Sequence, residues 1–406
     1  MKRAWIWVGV FLLAGPVQAA GPRAAGASVI AFGAVCDGRT DDTAALQAAL
    51  DRTGIVRLPQ GRPCRISHRL RLASGAVITS ERGAGTIVLG SRPGEFGVAA
   101  DAKLTGAVDF GLYVNQASNV SLRNFAIRME RRDATYVHAI AVMSSSDVAI
   151  QGLDISGLAG GYGILVRSSH HVTITGNHLH GFLLNAAPSC GLEPPARIPA
   201  SSPSPPGVCG KVIGIKVDSG QRSFAESYAI SIVGNRLDDL DVGPEFNALW
   251  GFQSEGINVA GPQDSDATPL SQLSHDIVVA DNVLTRMGIG INSYGSKVRI
   301  ERNTISDVAS YGVKLTHGAT ADLVAGNTIS RAGSAGIYLR GYPPGRSTTA
   351  NSITGNLIRD VGRGGFGRGG RGDQAAGAFA VYCVLAPGNI LGPNRTSGER
   401  NFAKDC

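Results

Sequence analysis

The sequence predicts an all-β chain wound as a single-stranded parallel β-helix and closed at its N-terminal end by one helix. Three observations predict it. A unit of about two dozen residues recurs along most of the chain. Each copy holds short alternating apolar runs with no helical stretch between them. One amphipathic segment, ALQAAL, precedes the copies and offers a single apolar face. Composition agrees: a chain of 406 residues at 43% hydrophobic can bury a large core, and 55 glycines against 6% aromatics favour turns and short strands.

The chain begins with MKR, then WIWVGVFLLAG, then PVQAA, which reads as a secretory signal over residues 1–20 cleaved near Ala19 or Ala20. The apolar run is too short to span a bilayer. A secreted or periplasmic protein is therefore expected, with no stable membrane insertion and with disulfides permitted. Formal net charge is +7, or +5 without Lys2 and Arg3. A basic surface suits an acidic partner; export disfavours nucleic acid and leaves an acidic polysaccharide or anionic lipid. The six cysteines allow 15 pairings, of which the nearest-neighbour set is expected: Cys36 with Cys64, Cys190 with Cys209, Cys383 with Cys406. No CxxC spacing supports a thiolate zinc site.

Next comes FGAVCDGRTDDTAALQAAL, residues 32–50, in which Asp37, Asp41 and Asp42 stand just ahead of the amphipathic run. Stacked coils end in an exposed apolar bore and unpaired strand edges, which need a cover. Asp41 is placed to cap a helix and Asp42 to sit in its positive first turn, so these carboxylates read as helix starters rather than catalysts. The expected layout is one domain over 28–406: a capping segment 28–66, roughly ten coils over about 67–385, and a tail over 386–406.

The repeats align as NVSLRNFAI, DVAIQGLDI, HVTITGNHL, YAISIVGNRL, HDIVVADNVL, KVRIERNTI, ADLVAGNTI and NSITGNLI. One fixed position holds Phe125, Leu153, Asn177, Asn235, Asn282, Asn303, Asn327 and Asn356. Asparagine tolerates positive φ, and its amide can bond the coils above and below, so the column is expected to be a structural ladder. A further strand of the form G-I-x-V follows in each repeat: GLYV, AIAV, GILV, GIKV, GINV, GINS, GVKL, GIYL.

FGAVCDGRTDDTAALQAAL followed by IVRLPQGRPCRI resembles the opening of the pectate-lyase-like superfamily, which includes polygalacturonases, rhamnogalacturonases, exported epimerases and phage tailspikes. The coil repeats extend that resemblance over most of residues 28–385. It implies a right-handed helix and a polysaccharide substrate.

The G-I-x-V register also locates a groove. Its outward x positions are Tyr113, Ala141, Leu165, Lys216, Asn258, Asn292, Lys314 and Tyr338, separated by 28, 24, 51, 42, 34, 22 and 24 residues. The long gaps mark insertions near 183–210, 238–253 and 261–273, loops that would wall a floor made of the x positions. On or beside that floor fall Lys216, Asn258, Asn292 and Lys314, then Asp218, Tyr294, Thr316 and Arg340, with His138 and Arg167 nearby. Tyr338, Tyr113 and Trp250 are candidate sugar-stacking rings. Outward residues are also polar simply because they meet water.

Two chemistries compete. A hydrolase needs two carboxylates, and Glu255 in WGFQSEGINVAGPQD with Asp218, Asp241 or Glu245 could supply them. The resemblance to polygalacturonases places Ser254-Glu255-Gly256 where that family has G-H-G and Val313-Lys314-Leu315 where it has R-I-K. The coils that should carry its aspartates read GYGILV and VIGIKV, so its mechanism does not transfer. Elimination needs cations and a base, which Lys216 and Lys314 supply. A polysaccharide lyase acting on a uronate polymer is therefore preferred, with catalytic Lys216, Lys314 and Glu255. Hydrolase, epimerase and non-catalytic carbohydrate-binding readings stay open. No cofactor is required; calcium is a candidate through Asp218, Asp239 and Asp241, and no dedicated calcium loop is visible. A monomer is expected. GRGGFGRGGRGD, residues 362–373, reads as a cationic loop, and His170, His171, His178 and His180 read as surface histidines with no matching acidic cluster.

Overall fold

A computed structural model describes residues 28–80, 84–92, 95–97, 109–130, 137–158, 160–183, 212–219, 225–241, 254–260, 273–341, 347–362, 379–397, 400–404 and 406. Each coil contributes three strands. The first strands, such as Ser146–Gln151 and His170–Thr175, stack into an 11-stranded sheet. The second and third strands form a 20-stranded sheet, and among the described residues neighbouring strands in both sheets pair in parallel, as in Val212–Asp218 beside Ser254–Ala260. In two coils the second and third strands run together, as Val283–Ser293 and Thr304–Thr316. Inward Ile, Val and Leu from successive coils, among them Ile164, Ile215, Ile257 and Ile291, fill the bore.

The helix Thr43–Thr53 lies over the first coils and buries Leu46, Ala49 and Leu50. Its two start residues divide the work differently from the expectation. Asp41 accepts from the backbone N–H and hydroxyl of Thr43. Asp42 occupies the N-cap position, yet its buried carboxylate turns away and accepts from the N–H groups of Val35, Cys36 and Arg65. It therefore fastens the cap to the first coil beside the Cys36–Cys64 disulfide. The coils also exceed their expected bounds. Ile55–Leu58 and Pro63–Ile66 already pair with later strands, and Ile390–Leu391, Arg395–Thr396 and Arg400–Lys404 make the presumed tail a last coil, tied by Cys383–Cys406. Cys190 and Cys209, the signal segment and residues 363–378 lie outside the described residues.

The asparagine column is a continuous buried ladder. Nδ2 of Asn177, Asn235, Asn282, Asn303, Asn327 and Asn356 each donates to Oδ1 of the next member at 2.9–3.0 Å, and the line runs on to Asn394. Positive φ falls one residue earlier than expected, on Gly176, Gly234, Asp281, Arg302, Gly326 and Gly355. That residue makes the turn, and the asparagine points inward. The glycine of G-I-x-V has a separate reason. A Cβ at Gly163, Gly214, Gly256, Gly290, Gly312 or Gly336 would stand 2.5–2.8 Å from the next coil's carbonyl oxygen. A further ladder edges the corner after the second strand. Asp239, Arg286, Asp307, Arg331 and Asp360 follow one another coil by coil with φ of 52–58°, alternating in sign. Arg286 is ion-paired to Asp239, and Arg331 to Asp307.

Candidate functional site

Third-strand pairing puts Lys216 beside Asn258, Asn258 beside Asn292, Asn292 beside Lys314 and Lys314 beside Tyr338. These side chains alternate with bore-filling Ile215, Ile257, Ile291 and Val313, so they share the outward face. At about 4.8 Å per rung, Lys216 and Lys314 stand ~14 Å apart along the axis. A second outward column arises three residues earlier in each strand, across the glycine kink: His138, Tyr162, Ile213, Glu255, Ile289 and Tyr311.

Glu255 is the centre. It is 1% exposed, and a carboxylate at such depth needs donors. Asn258 Nδ2 donates to its Oε2, and Asn292 Nδ2 donates to its Oε1 at 3.3 Å. Asn292 Nδ2 also donates to the Tyr294 hydroxyl at 3.1 Å. Both N–H bonds of Asn292 are thus used, and the Tyr294 hydroxyl, already an acceptor, has its own O–H to donate. The carbonyl oxygens of Asn258 and Asn292 are buried and accept no hydrogen bond from any of the described residues. An unmet buried acceptor costs roughly 1–3 kcal/mol, so two side by side mark a place where further donors would be favoured.

Cations flank this centre. Lys216 Nζ lies 3.3 Å from Asp218 Oδ2 and 5.1 Å from the centre of the Tyr162 ring, and Arg167 reaches the same Asp218 oxygen at 2.9 Å. On the other side Lys314 lies 6.0 Å from the centre of the Tyr294 ring, which packs at 4.4 Å against His317. His138 stacks on Tyr162 at 4.2 Å and accepts the Tyr162 N–H on Nδ1, so its hydrogen sits on Nε2. Burial, with Lys216 and Arg167 nearby, lowers its pKa to about 3 and keeps it neutral.

The profile for a right handed beta helix region matches residues 247–372. The chain folds as a right-handed parallel β-helix. Solved β-helices similar to it include an alginate lyase from Paenibacillus sp. str. FPU-7, at 15% identity and TM-score 0.53 over 85% of this chain and 96% of that one. An exopolygalacturonase from Thermotoga maritima gives 9% identity and TM-score 0.55 over 92% of both chains. The tailspike of E. coli bacteriophage HK620, as a double mutant with bound pentasaccharide, gives 11% identity and TM-score 0.55 over 88% of this chain and 59% of its own. No curated protein sequence matches the chain.

Within this β-helix the predicted site residues fall into three groups. Lys216, Asp218, Glu255, Asn258, Asn292, Tyr294 and Lys314 come together as described above. Arg340 pairs with Thr316 at the floor's edge, two coils beyond Asn292. Tyr338 does not offer an open ring: it is 3% exposed and stacks with Tyr311 at 4.4 Å and Tyr382 at 5.5 Å, one from each side along the axis. Trp250 and Glu245 lie outside the described residues. Of the calcium candidates, the Asp241 side chain lies outside what is described, and Asp218 and Asp239 sit on different faces. Asp218 is held by Lys216 and Arg167 on a third strand, whereas Asp239 is bound by Arg286 at the corner after a second strand. Two cations on Asp218 leave it a poor calcium ligand, and no step is routed through that ion. Tyr162 and His317 were not singled out by sequence. A ring three residues before the x position in the early coils, at Phe110, His138 and Tyr162, was the available signal for Tyr162.

Proposed function

We propose that the protein is an exported enzyme that cleaves an acidic, uronate-containing polysaccharide by β-elimination on this floor. The observation that carries the reading is the buried Glu255–Asn258–Asn292–Tyr294 cluster. It combines a carboxylate, two unmet acceptors and one directed hydroxyl between two lysines. Such a set complements a sugar that is both anionic and rich in hydroxyls.

Lys216 and Lys314, on opposite sides of Glu255, attract successive carboxylates of the polymer, and the nearer one offsets the charge of the carboxylate at Glu255, which acidifies the adjacent C–H. Glu255, aimed by two amides, takes that proton. The freed electron pair becomes the new C=C bond, the bond to the glycosidic oxygen breaks, and the Tyr294 O–H supplies that oxygen with a proton. Asn258 Oδ1 and Asn292 Oδ1 accept sugar hydroxyls. The fold likeness to an alginate lyase and an exopolygalacturonase is compatible with a polysaccharide substrate. Hydrolysis fits less well, because Asp218, the carboxylate one coil from Glu255, is already paired with two cations. The disulfides Cys36–Cys64 and Cys383–Cys406 suit an oxidising compartment, and among the described residues no helix is long and apolar enough to cross a membrane.

The test is a panel of uronate polymers read in two ways. New ultraviolet absorbance from an unsaturated sugar supports elimination; reducing ends without it indicate hydrolysis; binding without either indicates a lectin-like role. Glu255→Gln and Tyr294→Phe should each lower turnover about 10²–10⁴-fold while the fold persists. Full turnover in both Lys216→Ala and Lys314→Ala sinks the elimination reading.

A further inference from the structure

We propose that Asp154, His178 and His180 form a binding site for a divalent transition-metal ion of the zinc, copper or nickel type. The site lies on the outward face of the second strands and is independent of the third-strand floor. His178 and His180 flank core Leu179 on one strand, so both rings leave the same face, stacked at 4.1 Å. Asp154 comes from the preceding coil, where it pairs with His178. One ligand atom from each of the three residues lies within 4.8 Å of the other two.

An ion with bonds of about 2.1 Å in tetrahedral geometry sets its ligand atoms ~3.4 Å apart. The His180 Nε2 to Asp154 Oδ1 distance is 2.8 Å, so small side-chain rotations open the space. The neighbouring charges are compatible. Arg128 approaches the other Asp154 oxygen at 3.9 Å and leaves Oδ1 to the imidazoles. Asp238, from the following coil, receives His178 Nε2 at 3.0 Å and is itself fixed by Arg236 at 2.7 Å. A carboxylate that holds one ring nitrogen of a histidine is the usual outer support of a metal-binding imidazole. The acidic partners that the sequence did not reveal are thus supplied by the coils on either side. Two imidazoles with one carboxylate select zinc, copper or nickel over calcium or magnesium. All three residues are about a third or more exposed, so an ion has access.

The experiment is calorimetric titration of chelator-stripped full-length mature protein with zinc chloride, with the visible spectrum of added cobalt(II) as a second readout. One ion per chain is expected, with affinity at least tenfold weaker in His178→Ala, His180→Ala and Asp154→Ala. A His170→Ala/His171→Ala control on the first-strand face should bind as wild type. Circular dichroism verifies each fold; should His180→Ala not fold, His180→Asn and zinc protection of His178 and His180 from diethyl pyrocarbonate decide instead. No saturable uptake by the wild type, variants that bind like it, or equal loss in the His170/His171 control overturns the proposal.

Discussion

Replacing Asn282 with alanine tests whether the ladder holds the coils in register. Its side chain makes four buried hydrogen bonds. Nδ2 donates to Ile232 O and to Asn303 Oδ1, both at 2.9 Å, while Oδ1 accepts the Asn235 N–H at 2.9 Å and Asn235 Nδ2 at 3.0 Å. Alanine removes all four. Asn303 Oδ1 keeps the Asn282 N–H, so the main losses are two stranded donors on Asn235 and the carbonyl of Ile232. At roughly 1–3 kcal/mol for each stranded donor, the cost is about 3–5 kcal/mol. Asn394→Ala strands the matching two donors on Asn356, but at the partly buried end of the line, where water can reach them, and should cost ~1–2 kcal/mol. Urea unfolding followed by circular dichroism measures both. Because Asn282 opens the strand that ends at Ser293, its loss should also lower substrate affinity at Asn292. A cost for Asn282→Ala below about 1 kcal/mol, or one equal to that for Asn394→Ala, refutes the ladder's role in register.

Three further outcomes are expected. Gly290→Ala places a Cβ 2.5 Å from Gly312 O and should destabilise by several kcal/mol, whereas Gly176→Ala, with φ of 62° and open space around it, should cost ~1 kcal/mol by thermal melting; equal costs would contradict the close approach of the third strands. Arg286→Glu sets three acids in a row at Asp239, position 286 and Asp307, and should lose ~1 kcal/mol, recovered by Asp239→Arg or by about 1 M salt; a salt-independent loss would show that packing dominates. Asp322 is buried in the bore, where desolvation raises its pKa to about 8, so the folded state keeps a proton that the unfolded chain releases above its ordinary 3.8. Stability should therefore fall as pH rises toward 8. Below 6.5 the opposite pull of His138, neutral in the fold, offsets that slope, so the fall should show between pH 6.5 and 8, amount to ~2 kcal/mol, and vanish in Asp322→Asn.

The coil architecture was legible because its causes are periodic. Apolar alternation, the asparagine column and the G-I-x-V strand each repeat with the rung, and register then follows from counting: Lys216, Asn258, Asn292 and Lys314 align as counted. Part of what escaped depends on contacts between coils of unequal length. Asp238 lies beyond the 183–210 insertion, so its meeting with His178 leaves no fixed spacing. Asp154 stands one regular repeat, 24 residues, before His178 and was overlooked because only the histidines' own strand was searched. The charge ladder from Asp239 to Asp360 escaped for a different reason: its members alternate in sign, so the column holds no constant residue. Tyr338 was misjudged because an outward position was equated with an open one, whereas aromatic rings one rung apart cover each other's faces. The same equation failed for Asn258 and Asn292, which point outward and are fully buried.

Burial and residue type do not separate the ladder asparagines from those of the proposed floor, but hydrogen-bond satisfaction does. Asn282 and Asn292 belong to the same coil, ten residues apart, and each is at most 1% exposed. Asn282 uses both N–H bonds and both lone pairs on neighbours above and below. Its energy is spent within the fold, and any ligand would have to break the ladder. Asn292 also spends both N–H bonds, on Glu255 and Tyr294, yet among the described residues its carbonyl oxygen meets no donor, and one rung earlier Asn258 likewise donates to Glu255 with its carbonyl oxygen unmet. The amide halves fix the geometry of the carboxylate and the phenol, and the carbonyl halves carry a deficit that no described residue meets. Replacing both floor asparagines with aspartate would retain the acceptors and remove the donors to Glu255, crowding three carboxylates together. Asn258→Leu would instead remove the acceptor with the donor. If the deficit is the binding determinant, Asn258→Leu should abolish substrate binding measured by calorimetry. The Glu255 oxygen that loses its donor costs about 1–3 kcal/mol, offset in part because one stranded acceptor disappears, so the loss stays below that of Asn282→Ala. Undiminished binding in Asn258→Leu would show that the unmet oxygens are incidental to the site.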